Sequence, residues 1–258
     1  MEFNEDIASC ADLVRRGDPD RFLAIMSAPV KKRGALFIIY AFNLEVVRAP
    51  WVTQEPMISE MRLQWWLDSI EEIYEGKTIR RHEVVTPLAE LIRIQDLPRD
   101  LFDTLIKARR WDIYKEPHAH AFAFEDYIMS TSGNLIALAC LSIGMPSSDI
   151  KNAKEYGFGD GIARLFVAIP TLKSMQRYPL LDGSAEAISA LANSSLIRMN
   201  NVLFSDSSGI FALRTAWLAK KTLRLVAKEP MQVVNGISSP TEFYKKILLL
   251  AKTFSKTF

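Results

Sequence analysis

The 258-residue sequence is short of cysteine, histidine and net charge, and each shortage removes a class of protein. Its two cysteines, Cys10 and Cys140, stand far apart, so no disulfide framework or paired-cysteine metal motif is available, and a reducing compartment fits. Thirty-two Lys and Arg against thirty Asp and Glu leave a formal charge of +2, too little for the electrostatic footprint of a nucleic-acid binder. The three histidines are His82, His118 and His120, and the last two, beside Pro117, read as a surface loop rather than a zinc site. No Gly-x-Ser-x-Gly hydrolase turn is present. The glycines at 157, 159 and 161 have no strand before them and no Lys-Ser/Thr after them, so they predict close helix packing rather than a phosphate loop. Glu2, Glu5, Asp6 and Asp12 without a long apolar core argue against a secretory or transit segment, and the expected location is the cytoplasm.

What is abundant is apolar helix-forming sequence. At 49% apolar and 24% charged residues, the chain has material for a sizeable core and is not disordered. Twelve prolines punctuate segments of helical periodicity. The spacing predicts helices over residues 31–49, 57–75, 83–95, 98–115, 122–143, 148–174, 185–203, 208–228 and 240–256. Strand signals are nearly absent and no linker divides the chain, so residues 1–258 read as a single all-α domain. The uncharged run from Tyr127 to Ser148 has about the twenty residues a bilayer crossing needs. Ser130, Thr131, Ser132, Gly133 and Asn134 dilute it, and a buried central helix is the better reading. Asp68 and Glu72 lie off the Trp66, Ile70, Ile73 stripe and read as a solvated acidic face.

Charge is uneven along the chain. Residues 220–258 carry eight Lys or Arg against two Glu. Within them Phe243, Ile247, Leu250, Phe254 and Phe258 fall at helical steps, with Lys245, Lys252 and Lys256 on another side. This basic amphipathic helix, about 240–258, fits an anionic bilayer, an assembly partner, or its own domain with the lysines in water.

The run Ala35-Leu-Phe-Ile-Ile-Tyr40-Ala-Phe-Asn43-Leu-Glu45 resembles the first motif helix of the squalene/phytoene synthase family. The likeness continues through Arg62-Leu-Gln-Trp65-Trp66-Leu-Asp68, Tyr74-Glu-Gly76, Phe124-Glu-Asp-Tyr127, Ser132-Gly133-Asn134, Tyr156-Gly157 and Arg177-Tyr178-Pro179, in the family's order. The resemblance implies an all-α isoprenoid (terpenoid) synthase fold around a central cavity. It also implies a head-to-head condensation of two prenyl diphosphates, in which two facing Asp-rich motifs hold Mg²⁺ against the departing diphosphate. By the same likeness Phe22, Met26, Tyr40, Asn43, Leu44, Val47, Trp66, Tyr127, Thr131, Leu135, Gly161, Leu165 and Tyr178 are expected to line the hydrocarbon cavity.

The sequence departs from that pattern at the metal motifs. The first motif's acidic slots hold Val47, Arg48 and Trp51; the second motif's slots hold Gly161, Arg164, Val167 and Ala168. None of these ligates magnesium as a hard cation requires, so no metal site is expected. Two readings follow. In one, Arg48, Arg164 and Arg177 bind a prenyl diphosphate or another anion directly. In the other, the pocket is not catalytic and the fold serves assembly, as in the branch of the family that includes the mitochondrial complex I assembly factor, working peripherally at the inner face of the membrane. Glu45 with Arg48, and Asp160 with Arg164, can also be plain intrahelical ion pairs.

Overall fold

Side-chain caps and prolines set the helix starts. Asn4 accepts a hydrogen bond from the Ile7 N–H at 2.9 Å and opens α1 (Glu5–Gly17). Asp18 ends α1 through its own N–H and caps α2 (Pro19–Met26) by accepting from the Arg21 N–H, with proline at the first helical position. Neither of these two helices is among the nine segments expected from periodicity. The computed structural model describes residues 4–53, 55–114 and 116–254. Helices α3 (Val30–Arg48), α4 (Pro56–Tyr74) and α5 (Val85–Gln95) follow the predicted segments closely, whereas α6 (Arg99–Ala108) ends short of the expected residue 115 and gives way to a 3-10 turn at Arg109–Asp112.

The uncharged segment is not one regular helix. It comprises α7 (Ala121–Ile128), a π-helical turn at Met129–Gly133 and α8 (Asn134–Leu141), every residue of which is buried. Among the described residues no helix is long and apolar enough to cross a membrane, and no strand occurs. The longest helix, α9 (Ile150–Ser174), runs through the middle of the core and packs against the π-turn, α8, α10 (Ala185–Asn201) and α12 (Ala219–Lys228). Short α11 (Ile210–Leu213) and α13 (Gln232–Asn235) flank α12, and α14 (Glu242–Phe254) closes the described chain.

Glycine makes the central packing feasible. A Cβ at position 157 would lie 2.6 Å from the Ser132 carbonyl oxygen, and one at 161 would lie 2.7 Å from the Ser132 Cβ, so α9 touches the π-turn backbone itself. One large apolar cluster fills the centre. A small second cluster, Ala24, Trp217 and Leu249, fastens α14 to α2.

The attachment of α14 differs from the simplest amphipathic expectation. Lys245 is buried and pairs with Asp20 at 2.7 Å and Glu242 at 3.0 Å, while Phe243, Ile247 and Leu250 face solvent. The helix docks through one neutralised lysine and Leu249, and its apolar stripe points outward. Phe258 and Lys256 lie outside the described residues, as does the Phe254 side chain.

Candidate functional site

At the N-terminal corner of α2, a closed ring of alternating charges ties that helix to α9. Arg21 Nη2 donates to Asp160 Oδ2 at 2.8 Å, and Arg21 Nη1 approaches Asp18 Oδ2 at 3.4 Å. Arg164 donates from Nη1 to Asp18 at 3.0 Å and from Nε to Asp160 at 3.1 Å. Two guanidinium groups thus meet two carboxylates, and the ring is neutral. Burial pushes the Asp18 carboxyl up, but Arg164 and Arg21 outweigh it and hold the group below its ordinary range. Arg21 also lies over the Tyr40 ring at 4.8 Å, and the Tyr40 hydroxyl hydrogen-bonds Thr215.

Arg164 is therefore occupied by protein carboxylates, and its pair with Asp160 is the intrahelical pair considered from sequence, extended by Asp18 and Arg21. Asp18-Pro19 carries a cap signature, but nothing local to it, or to Arg21, points to a residue 139 positions away. Arg48 lies on the surface and pairs with Glu45 at 3.2 Å. Beside Arg164, a cavity of about 390 Å³ opens between α9, α12 and the 237–240 segment, with apolar walls from Val167, Trp217 and Leu225 and polar rim groups from Lys221 and Ser239.

A second cluster surrounds Tyr127. Its hydroxyl donates to Asp112 Oδ1 at 2.7 Å and accepts from Arg109 Nη1 at 2.9 Å, and Arg109 also donates to Asp112 at 3.2 Å. His118 stacks on Trp111 with ring centroids 4.0 Å apart, and its Nε2 has no hydrogen-bond partner among the described residues. This corrects the surface-loop reading of His118: aromatic neighbours bury it, and burial holds its pKa down. His120 does stay exposed, accepting from the Ala123 N–H as the cap of α7. Tyr127, Leu165 and Arg177 share a cavity of about 50 Å³ with Trp51, Trp111, Asp112 and His118. Sequence reasoning missed Arg109, Asp112 and Trp111, whose only signal is an aromatic residue set among charges.

Most of the other residues expected to line a cavity are buried or half-buried. Phe22 stacks on Phe37, Trp66 meets Phe42 edge to face, and the Thr131 hydroxyl donates to the Tyr127 carbonyl at 2.6 Å. Asn43 and Leu135 are buried, Leu44 and Val47 are half-buried, and Gly161 lies against Ser132. Met26 and Tyr178 are exposed.

The donor set does not fit magnesium. The motif slots hold no carboxylate, Asp18 and Asp160 are engaged by arginines, and among the described residues no three His, Cys, Asp or Glu side chains gather to hold a metal ion.

Helices packed around a central glycine-rich helix, with no strand among the described residues, define an isoprenoid-synthase type of fold. The chain belongs to the squalene/phytoene synthase family, whose family model matches residues 14–180. It superposes on a dehydrosqualene synthase in complex with ligand with a TM-score of 0.76 at 18% identity, covering 98% of this chain and 96% of that one. Squalene synthase HpnC from Alicyclobacillus acidocaldarius gives 0.64 at 15% identity, covering 98% and 95%. At such identities the likeness concerns the fold. Among characterised relatives, the complex I assembly factor 6 homolog of Drosophila melanogaster is 28% identical over 211 residues, 78% of this chain and 60% of that protein. Human complex I assembly factor 6 is 23% identical over 162 residues, 62% of this chain and 48% of that protein. The chain thus spans about half to three-fifths of the length of these relatives.

Proposed function

We propose that this protein is a non-catalytic member of its family that acts as an assembly factor for respiratory complex I. The carrying observation is the neutral ring of Asp18, Arg21, Asp160 and Arg164. Where a family synthase would need open carboxylates for cations and free cations for diphosphate, both signs of charge here are already spent on each other. The relatives named as complex I assembly factors support the same direction. Incubation with geranylgeranyl diphosphate and Mg²⁺ is expected to release no pyrophosphate, and deletion of the gene is expected to deplete assembled complex I on native gels. Steady turnover, or full complex I in the deletion strain, would remove the proposal.

The fold retains room for a hydrophobic ligand. The cavity of about 390 Å³ beside Arg164 supports binding of an apolar or prenyl molecule with its polar end near Lys221. Saturable quenching of Trp217 by a prenyl alcohol tests it, and the absence of quenching rejects it.

Contact with an anionic membrane surface at the cytoplasmic side belongs to the same reading. The outward stripe of Phe243, Ile247 and Leu250 alongside exposed Lys246 supports it. Vesicles containing phosphatidylglycerol should float the intact protein but not its Phe243→Ser, Ile247→Ser double variant; equal flotation of both would reject it.

A further inference from the structure

The buried Arg21 and the half-buried Arg164 and Arg109 all face carboxylates. Arg21 and Arg164 share Asp18 and Asp160, and Arg109 has Asp112. Arg177 is 8% exposed, and among the described residues no carboxylate lies within ion-pair distance of it. Its guanidinium lies over the Trp51 ring at 4.4 Å and makes one long hydrogen bond, 3.4 Å, to the Tyr114 carbonyl. Stacking on an indole compensates only part of the cost of burying a full charge.

The backbone holds this cation where it is. At the C-terminus of α9 the Arg177 N–H bonds the Leu172 carbonyl at 2.9 Å and the Gln176 N–H bonds the Lys173 carbonyl at 3.0 Å. This closure places Gln176 at φ 59°, a left-handed position that glycine usually fills. Strain of this kind persists where the surroundings require a fixed geometry.

Arg177 also forms part of a groove of about 580 Å³ that runs between the start of α4 and the end of α9, lined by Trp51, Pro56, Ser59, Tyr114 and Met175. Trp51, Tyr114 and Met175 are partly exposed there, and so are the adjoining Val52 and Tyr178. A concentration of exposed apolar side chains around one buried, unmatched cation marks an interaction surface.

We propose that this groove docks a segment of a partner protein that presents one Asp or Glu to Arg177, flanked by apolar side chains that cover Trp51 and Met175. Charge selects this occupant. One guanidinium matches one carboxylate in two parallel hydrogen bonds. A diphosphate would bring several negative charges to a single cation, with the Asp112 carboxylate lining the adjoining cavity. The identity of the partner as a complex I component rests on the assembly reading above; the docking chemistry does not.

The test places a benzoylphenylalanine photocrosslinker at Val52 in the full chain expressed in its own cells. The expected result is one adduct whose mapped partner peptide contains an Asp or Glu among apolar residues. Its yield should fall about tenfold or more in Arg177→Gln, as happens when one member of a desolvated ion pair is removed. Because a buried arginine can also support folding, Met175→Glu serves as the second variant. It places a carboxylate at a partly exposed groove position and should abolish the adduct without changing the thermal midpoint. Adduct yield unaffected by both variants, no adduct at all, or loss of the adduct on adding inorganic pyrophosphate with quenching of Trp51 each overturns the proposal. An adduct that depends on Arg177 but maps outside complex I upholds the docking site and removes the assembly reading.

Discussion

Arg21 and Asp160 are 139 positions apart in the chain, and their side chains meet at 2.8 Å, both almost wholly buried. Removing either leaves the ring with an unmatched charge. Asp160→Asn is expected to destabilise the fold by about 3–5 kcal/mol, because a buried partner is lost while Arg21 stays buried. Urea denaturation measures it; a change below about 1 kcal/mol would show the ring to be well hydrated.

Acid should act through the same ring. The Asp18 carboxyl titrates below its unfolded value, since Arg164 and Arg21 overcome the opposing effect of burial. A depressed folded pKa contributes stability that is full above the unfolded value, about 3.9, and lost as pH falls toward the folded one. The urea midpoint of the wild type should therefore drop more steeply below about pH 4 than that of Asp18→Asn. Parallel curves for the two proteins would contradict this.

Glycine at the centre of α9 has no spare room. Gly157→Ala brings a Cβ to 2.6 Å from backbone oxygen of Ser132, which cannot swing away as a side chain can. The expected loss is about 1–3 kcal/mol. Gly183→Ala, whose Cβ would have no described atom within 4 Å, is the matched control and should be close to neutral by thermal melting.

Gln176 offers the opposite sign. At φ 59° its side chain costs energy that glycine would not, so Gln176→Gly should stabilise by about 0.5–1 kcal/mol after the greater freedom of glycine in the unfolded chain is counted. Thermal denaturation decides it; a lower midpoint would show that the Gln176 side chain contributes contacts of its own.

The helices were largely legible in the sequence because proline, small capping residues and apolar steps of three and four act locally. Gly157 and Gly161 were legible as packing sites for the same reason: missing side chains within helical sequence leave few other uses. The orientation of α14 was not. Periodicity separates Phe243, Ile247 and Leu250 from Lys245, but which side meets the domain depends on Asp20, more than two hundred residues earlier. Asp160 and Arg164 were readable as neighbours, whereas their completion by Asp18 and Arg21 arises only when α2 is laid across α9. The π-turn at Met129–Gly133 has no reliable local code either.

The two thiols supply a probe of integrity. Burial pushes Cys10 up to about 12, with Glu83 adding to it, and burial with a smaller push from Asp149 raises Cys140 as well. Since the thiolate is the reactive form, neither should react with iodoacetamide at mildly alkaline pH in the folded protein, and both should react in denaturant. Rapid labelling of the native protein would reveal an opening of the core around α1 or α8.

Asp18 closes α1 with its amide, starts α2 with one carboxylate oxygen and reaches Arg164 with the other. A hinge made from a single amino acid has no slack, so lengthening it by even one unit would rotate α2 away from α9. Anyone splitting or circularly permuting this chain should leave that corner whole and cut instead near Gly183, an exposed position where even an added Cβ would meet no described atom within 4 Å.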